Sequence, residues 1–364
     1  AVSRFAFLEM KLAGSTHVVE FHYLHNQQGG RRYADPNEIS RRVLEAAAEA
    51  GIGITLLRVA YQRGGPGQPA VPPQLRFIEP DAERFLEDTQ SLASFCSLDR
   101  CRPVQVGIAA HSVRALSVPY LKALAAGRGG CIVHAHVSEQ PKEVQACMAE
   151  TGRRPLELLD ECGLVDSRFT AVHATHLGPG EAERLGRKGA GACICPTTER
   201  NLGDGLPDLE ELLAAGAFLA IGSDSQVRID PFAEIRMLED GERLRSGRRN
   251  VLAPKSGQEV APVLIRAGAE GGARAAGLKA GRIAPGQRAD LVSLDLDDPA
   301  LVGLAEEEGD AGVLLSNIVL GGHPRMVKDL WIGGRQEVHD GECLRWARAA
   351  EEYKAVGRRI FGRG

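Results

Sequence analysis

Short apolar, β-branched runs alternate with helix-patterned segments along most of the 364 residues. The runs at 18–24, 52–59, 104–110, 131–137, 169–173, 191–195 and 217–223 read as strands. Between them lie helices with legible ends. Asp35-Pro36-Asn37 opens one that runs through Glu49, and Ser117 precedes one at 118–126. Pro179-Gly180-Glu181 opens 180–188, while Pro207-Asp208 opens 208–215, closed by Gly216. Longer helical stretches follow at 231–246 and 259–276. This βα alternation predicts an α/β fold with a parallel sheet, of the (β/α)₈ TIM-barrel type. Arg4 to Ala13 reads as a helix closed by Gly14. A helix ahead of strand 18–24 implies a strand ahead of that helix, so the first barrel strand is expected upstream of Ala1.

From about 281 the pattern changes to turns and short strands: a turn then a strand over 281–295, strands at 313–319 and 326–332, a Gly333-Gly334 turn, and Arg335–Val338. The tail 343–361 is charged and helical in pattern. The expected organisation is a barrel over 1–280 lacking its first strand, a small β module over 281–342, and a C-terminal helix over 343–364. The Gly/Pro-rich segment 62–74 follows a strand and is a candidate lid.

Composition removes some alternatives. With 43% hydrophobic and 25% charged residues the chain can bury a large core, which excludes disorder. A net charge of −4 gives no electrostatic case for nucleic acid or an anionic membrane. No apolar run approaches the roughly 18 residues of a bilayer span. The eight cysteines, Cys101 among them, form no C-x-x-C pair and read as reduced thiols of a cytoplasmic protein. No G-x-G-x-x-G follows the first strand, which argues against a dinucleotide-dependent oxidoreductase.

The chemistry gathers where strands end: Tyr61, His111 with Arg114, His136 with Glu139, His173 with His176, Thr197 to Glu199, and Asp224. In a parallel barrel all of these face one mouth. A lone strand-end histidine is more often packed than functional, but four successive strands ending in His or Asp are hard to assign to chance. His136, His173 and Asp224 are the residue types of a catalytic zinc site. Glu139 is placed to pass a proton from a bound water to a leaving nitrogen. Arg114 suits a substrate carboxylate because a guanidinium binds both oxygens, although a surface salt bridge is the commoner fate of an arginine. The alternative for Tyr61 is to cap the barrel rim. His134 reads as a packed residue, His176 as a support or an exposed residue, and Cys193 and Cys195 as filling a buried strand. His22 and His25 end strand 18–24 without an assigned role.

These residues resemble the amidohydrolase superfamily, in its mononuclear deaminase branch, and within it the formimidoylglutamate deiminase family. The likeness is carried by EFHYLH (20–25), Tyr61, HSVRAL (111–116), HAHVSEQ (134–140), GRRPLELL (152–159), VHATH (172–176), CPTTERNLGDG (195–205), GSDS (222–225) and GQRADLVSLD (286–295). GSDS and the RADL pattern are shared widely in the superfamily, while HS-x-RA and TTE-x-NLGDG discriminate better. The resemblance implies that His136 and Asp224 are metal ligands, that His173 orients the attacking water with Asp224, and that Glu139 is the general acid/base. It implies substrate contacts from Tyr61, His111 and Arg114. It implies one divalent ion, zinc with iron as the alternative, and hydrolysis of N-formimino-L-glutamate to N-formyl-L-glutamate and ammonia in histidine degradation. It allows a homodimer. The family's remaining two ligands form an H-x-H on the first strand, and no such pair stands before residue 18. That pair, and the start of the β module, are expected upstream with the first strand, and activity with them. The TTE-x-NLGDG stretch is expected to shape its loop through Gly203 and Gly205. The rival readings are a guanine or adenosine-type aminohydrolase, and a non-catalytic barrel that only binds a small acid.

Overall fold

The computed structural model describes residues 1–96, 104–255, 257–303 and 311–362, so Cys101 lies outside the described residues. Helix α1 (Val2–Leu12) leads into strand β1 (His17–His22), followed by α2 (Glu38–Ala50) and β2 (Gly53–Ala60). Then come α3 (Ala82–Cys96), β3 (Val104–Ala110), α4 (Val118–Gly127) and β4 (Val133–Val137). Helices α5 (Pro141–Thr151) and α6 (Pro155–Glu161) precede β5 (Phe169–His173), and α7 (Glu181–Lys188) precedes β6 (Gly191–Ile194). Short helices α8 (Pro196–Leu202) and α9 (Leu209–Ala214) lead to β7 (Phe218–Ile221), after which α10 (Pro231–Ser246) closes the run.

The seven strands form one sheet in chain order, each pair parallel. This is the α/β, TIM-type arrangement expected, with β1 and β7 as the edges of the sheet among the described residues. Parallel pairing requires a crossover between strands, and the capped helices supply it. Asp208 and Asp230 start α9 and α10 by accepting the Glu211 and Ala233 amides. Gly51 ends α2 in the left-handed region, at φ 81°. Every residue of β2 is buried, as a strand covered on both faces requires. The main core joins Ile108, Val133, Phe169 and Leu219 of the sheet to Phe85, Leu121, Leu156 and Leu264 of the helices. Each such side chain contributes about 1.5–3 kcal/mol.

After α10 the chain forms α11 (Ala261–Arg266), a wider π turn over 267–271 and α12 (Gly272–Ala275). Here Gly271 is required, because a Cβ would overlap the Leu219 carbonyl of β7. Strand β8 (Leu291–Leu294) then pairs antiparallel with β9 (Val327–Ile332), which turns through Gly333-Gly334 into β10 (Arg335–Val338). This is the small C-terminal sheet that the sequence predicts.

One element differs. The run expected as a strand at 313–319 is a helix, α13 (Ala311–Gly321), packed on α10 and α11. Val319 is buried there, Leu315 one turn earlier rests on the same core, and Arg236 binds the Leu320 carbonyl. VLLSNIV, seven residues interrupted by Ser316 and Asn317, is too short for its period to separate a helix from a strand.

The final helix α14 (Trp346–Phe361) lies on α1, where Tyr353 stacks on Phe5 at 4.3 Å. A second core joins α1 and α2 to β9, β10 and α14 through Leu8, Leu44, Leu330, Ile332 and Ala349. Beside it Lys11 is fully buried, with its Nζ donating to Glu337 at 2.9 Å and to the Ala50 carbonyl at 2.7 Å. Arg345 reaches the same Glu337 oxygen at 2.9 Å. None of the helices among the described residues is long and apolar enough to cross a membrane, and the seven described cysteines are unpaired.

Candidate active site

The C-terminal ends of the strands bring the expected residues together. His173 is the last residue of β5, while His136 lies one residue before the end of β4. Their rings stack, 5.5 Å apart and 15° from parallel. Asp224 follows β7 and Glu139 follows β4. His173 Nε2 sits 3.8 Å from an Asp224 oxygen and 3.9 Å from a Glu139 oxygen, both longer than a hydrogen bond. That nitrogen is buried without a hydrogen-bond partner.

The backbone here is unusual. Ser138, His173, Ala174 and Asp224 all adopt left-handed φ values, between 46° and 67°. Outside glycine such values are sparse and cluster where function over-determines the chain. The reversal at each strand end is what turns the side chains towards one another.

Each imidazole is oriented through its Nδ1. His136 Nδ1 donates to the His111 carbonyl at 2.7 Å, leaving Nε2 as the lone-pair nitrogen. His173 Nδ1 donates to Glu199 Oε1 at 3.1 Å. Burial pulls His136 down to about 3, helped by the neighbouring His173. Burial also pulls on His173, but the Glu199 hydrogen bond and the charges of Glu139, Glu199 and Asp224 outweigh it and hold His173 up at about 9. Glu139 is raised by burial, with His173 opposing and Asp204 adding. Asp224 is raised by burial and by Asp204, again against His173.

This donor set fits a divalent cation. The unpartnered His173 Nε2 has two carboxylates, both raised first by burial, within 4 Å, and the neutral His136 ring stacks beside it. The second nitrogen of each imidazole is held by an acceptor, as in metal sites generally. His173, Cys195 and Glu199 also lie close enough together to share an ion. However, the Glu199 oxygen already accepts from His173 and, at 2.8 Å, from the Cys195 amide. That trio is better read as a hydrogen-bonded support.

An aromatic wall faces the cluster. Tyr61 meets His111 edge-on at 4.5 Å, and His111 meets His136 at 5.1 Å. The Tyr61 hydroxyl accepts from Gln74 at 2.9 Å, which ties the wall to the 62–74 segment. Burial holds the His111 imidazole well below its ordinary range, assisted by His136 and Arg114. Arg114 is half-buried, and its guanidinium makes no ion pair or hydrogen bond among the described residues. Its charge is nonetheless felt by His111, His136, Glu139 and Glu143.

The remaining histidines are structural in this geometry. His134 bonds the Ala275 carbonyl at 2.9 Å, and His176 bonds the Asp204 carbonyl at 2.7 Å. His22 and His25 pack edge to face beside the buried Arg58. Sequence reasoning gave no role to Tyr23, whose ring stands 5.6 Å from His111 and 6.5 Å from His136. It also left out Glu143, which accepts the Glu139 amide at 3.0 Å. A strand ending F-H-Y places alternate residues on one face, and that signal could have marked Tyr23.

Comparison with known proteins adds a lineage to this geometry. The family model described as "Amidohydrolase family" matches residues 1–336. The chain is 43% identical over 357 residues to a formimidoylglutamate deiminase of Pseudomonas aeruginosa, covering 96% of this chain and 76% of that one. It is 30% identical to an 8-oxoguanine deaminase of the same organism, over 81% of this chain and 64% of the relative. Among solved structures, an amidohydrolase from Brucella melitensis superposes with a TM-score of 0.88 at 35% identity, over 99% of this chain and 78% of that one. An adenosine deaminase from Xanthomonas campestris with bound zinc shares the fold at a TM-score of 0.79 and 24% identity, over 100% of this chain and 75% of that one.

Proposed function

This chain belongs to the amidohydrolase family, and from that premise we propose that it hydrolyses the formimino group of N-formimino-L-glutamate, giving N-formyl-L-glutamate and ammonia in histidine degradation. The observation that supports this most is the pairing of two features. A cluster suited to activating water stands beside Arg114, whose half-buried guanidinium has no ion pair among the described residues. A guanidinium held in no ion pair near the reaction centre suits an acidic substrate.

His136 and Asp224 would hold the metal, zinc with iron as the alternative. When bound, a divalent ion lowers the pKa of a coordinated water towards neutrality. The chain's own residues do the rest. Arg114 takes a substrate carboxylate and sets the position of the formimino carbon. Tyr61, His111 and Tyr23 wall the pocket and exclude bulk water. His173, held protonated, orients the attacking water and Asp224 accepts its proton, as the oxygen bonds to the formimino carbon and the C=N π pair moves to nitrogen. Glu139 passes the water's two protons in turn to that nitrogen, the carbonyl forms as the C–N bond breaks, and ammonia leaves with the bonding pair. The reading carries with it a cytoplasmic location.

Ammonia release from the metal-loaded full-length protein tests the proposal. Turnover of N-formimino-L-glutamate with none of guanine or 8-oxoguanine is the expected result, and the reverse preference would overturn it. Arg114→Met should raise KM for the acidic substrate about 10–100-fold, the scale of a lost charged hydrogen bond.

A further inference from the structure

The CPTTERNLGDG segment was expected to shape a loop, and its contacts go further. Thr197, in the first turn of α8, is anchored by Glu234 of α10, which accepts both its amide, at 3.1 Å, and its hydroxyl. Thr198 shares a hydrogen bond with Ser225 at 2.9 Å and reaches the Ser223 carbonyl, so it grips both neighbours of Asp224. Glu199 holds His173. Asp204 accepts from Gln140 at 2.9 Å, next to Glu139, and its own amide returns to the Glu199 carbonyl at 2.9 Å. One segment therefore touches the backbone or side chain beside three reacting groups that come from three different strands.

We propose that this segment is the positioning element of the site, and that Glu199 is the positioning residue that fixes the ring plane and proton placement of His173. The argument is geometric. A carboxylate accepts and cannot donate, so the proton of the contact sits on His173 Nδ1 and the Nε2 face is turned towards Asp224 and Glu139. Glu199 is itself fixed, being 2% exposed and receiving the Cys195 amide on the same oxygen. His173 carries φ 67° and ends its strand, so little of its own element holds the ring. Removing the carboxylate frees the imidazole to rotate and releases the Nδ1 proton from its fixed acceptor.

Glu199→Gln is the informative variant. The amide oxygen can still accept both N–H groups, so packing and capping survive while the charge is lost. The first readout is the proton resonance of His173 Nδ1 in histidine-labelled protein, assigned by its disappearance in His173→Asn. A downfield N–H signal is expected, displaced or broadened in Glu199→Gln while the His136 signal stays. A signal that Glu199→Gln leaves in place overturns the proposal. The second readout rests on the proposed hydrolysis: kcat falls about 10–100-fold at unchanged KM and unchanged metal content. A change in KM alone, or an unchanged kcat, also overturns it. Should Glu199→Gln fail to fold, Glu199→Asp keeps the charge, shortens the reach, and is judged by the same two readouts. The resonance is read whether or not the protein turns over the acidic substrate, so failure of that function and failure of this contact are separable.

Discussion

Two regions bury charge in opposite ways. Beside the small C-terminal sheet, Lys11 and Arg345 share one Glu337 oxygen, and Lys11 also bonds the Ala50 carbonyl. Opposite charges there meet at hydrogen-bond distance. At the strand ends, His173 Nε2 has no hydrogen-bond partner, two carboxyls are raised, and Arg114 makes no ion pair among the described residues. The first region is closed on itself and serves to join α1, α2 and α14. The second is left electrically incomplete, and what would complete it is a cation and an anionic substrate. In these two regions satisfied burial accompanies structure, and unsatisfied burial accompanies the candidate chemistry.

The sharpest way to break this comparison is Asp224→Ala. Bound metal, read by elemental analysis, and hydrolysis should both vanish while the protein stays folded. A stable fold with full metal content would put the ligand set elsewhere. Next is Glu139→Gln, which should keep metal and fold but lower the rate by about 10²–10⁴, the range for a proton-transfer group. Full activity would remove Glu139 from the mechanism.

The closed region predicts the mirror image. Glu337→Ala leaves Lys11 buried without its carboxylate and should cost about 3–5 kcal/mol in denaturant unfolding. The kcat of the folded fraction should not change. An activity loss without destabilisation would erase the distinction between the two regions.

The smallest effect is a pH dependence. Glu234 is raised from 4.5 to about 7, by burial first and then by Glu199 and Asp230, against the bonds from Thr197. The folded state therefore holds a proton that the unfolded chain releases. The contribution is fully present below pH 4.5 and is lost as pH rises towards 7. Unfolding measured across that window should show a decline that Glu234→Gln flattens.

Much of this was legible in the sequence because parallel strands repeat one rule, with apolar residues in the strand and chemistry at its end. Strands at 104–110 and 169–173 appear with the predicted bounds, and His111, His136, His173 and Asp224 gather at the strand ends. What stayed hidden has two physical causes. Residues 313–319 are too few for their pattern to decide between periods, and their packing on α10 and α11 is that of a helix. The Glu199–His173 contact joins the ends of adjacent strands 26 residues apart, and no local spacing encodes it. His134 and His136 show the same limit. They share a strand face, yet one is spent on the Ala275 carbonyl and the other offers a free nitrogen to the site.

The left-handed residues at the strand ends have a consequence for anyone redesigning this pocket. Positions 173 and 224 pass two filters at once, one for reactive groups and one for backbone shape, and positions 138 and 174 pass the second. Asparagine, aspartate and glycine suit that shape, while valine, isoleucine and threonine oppose it. A saturation library at these four sites would thus return far fewer folded members than its size suggests. Its inactive members would mix lost chemistry with a lost turn, and asparagine at 173 is the substitution that isolates the first from the second.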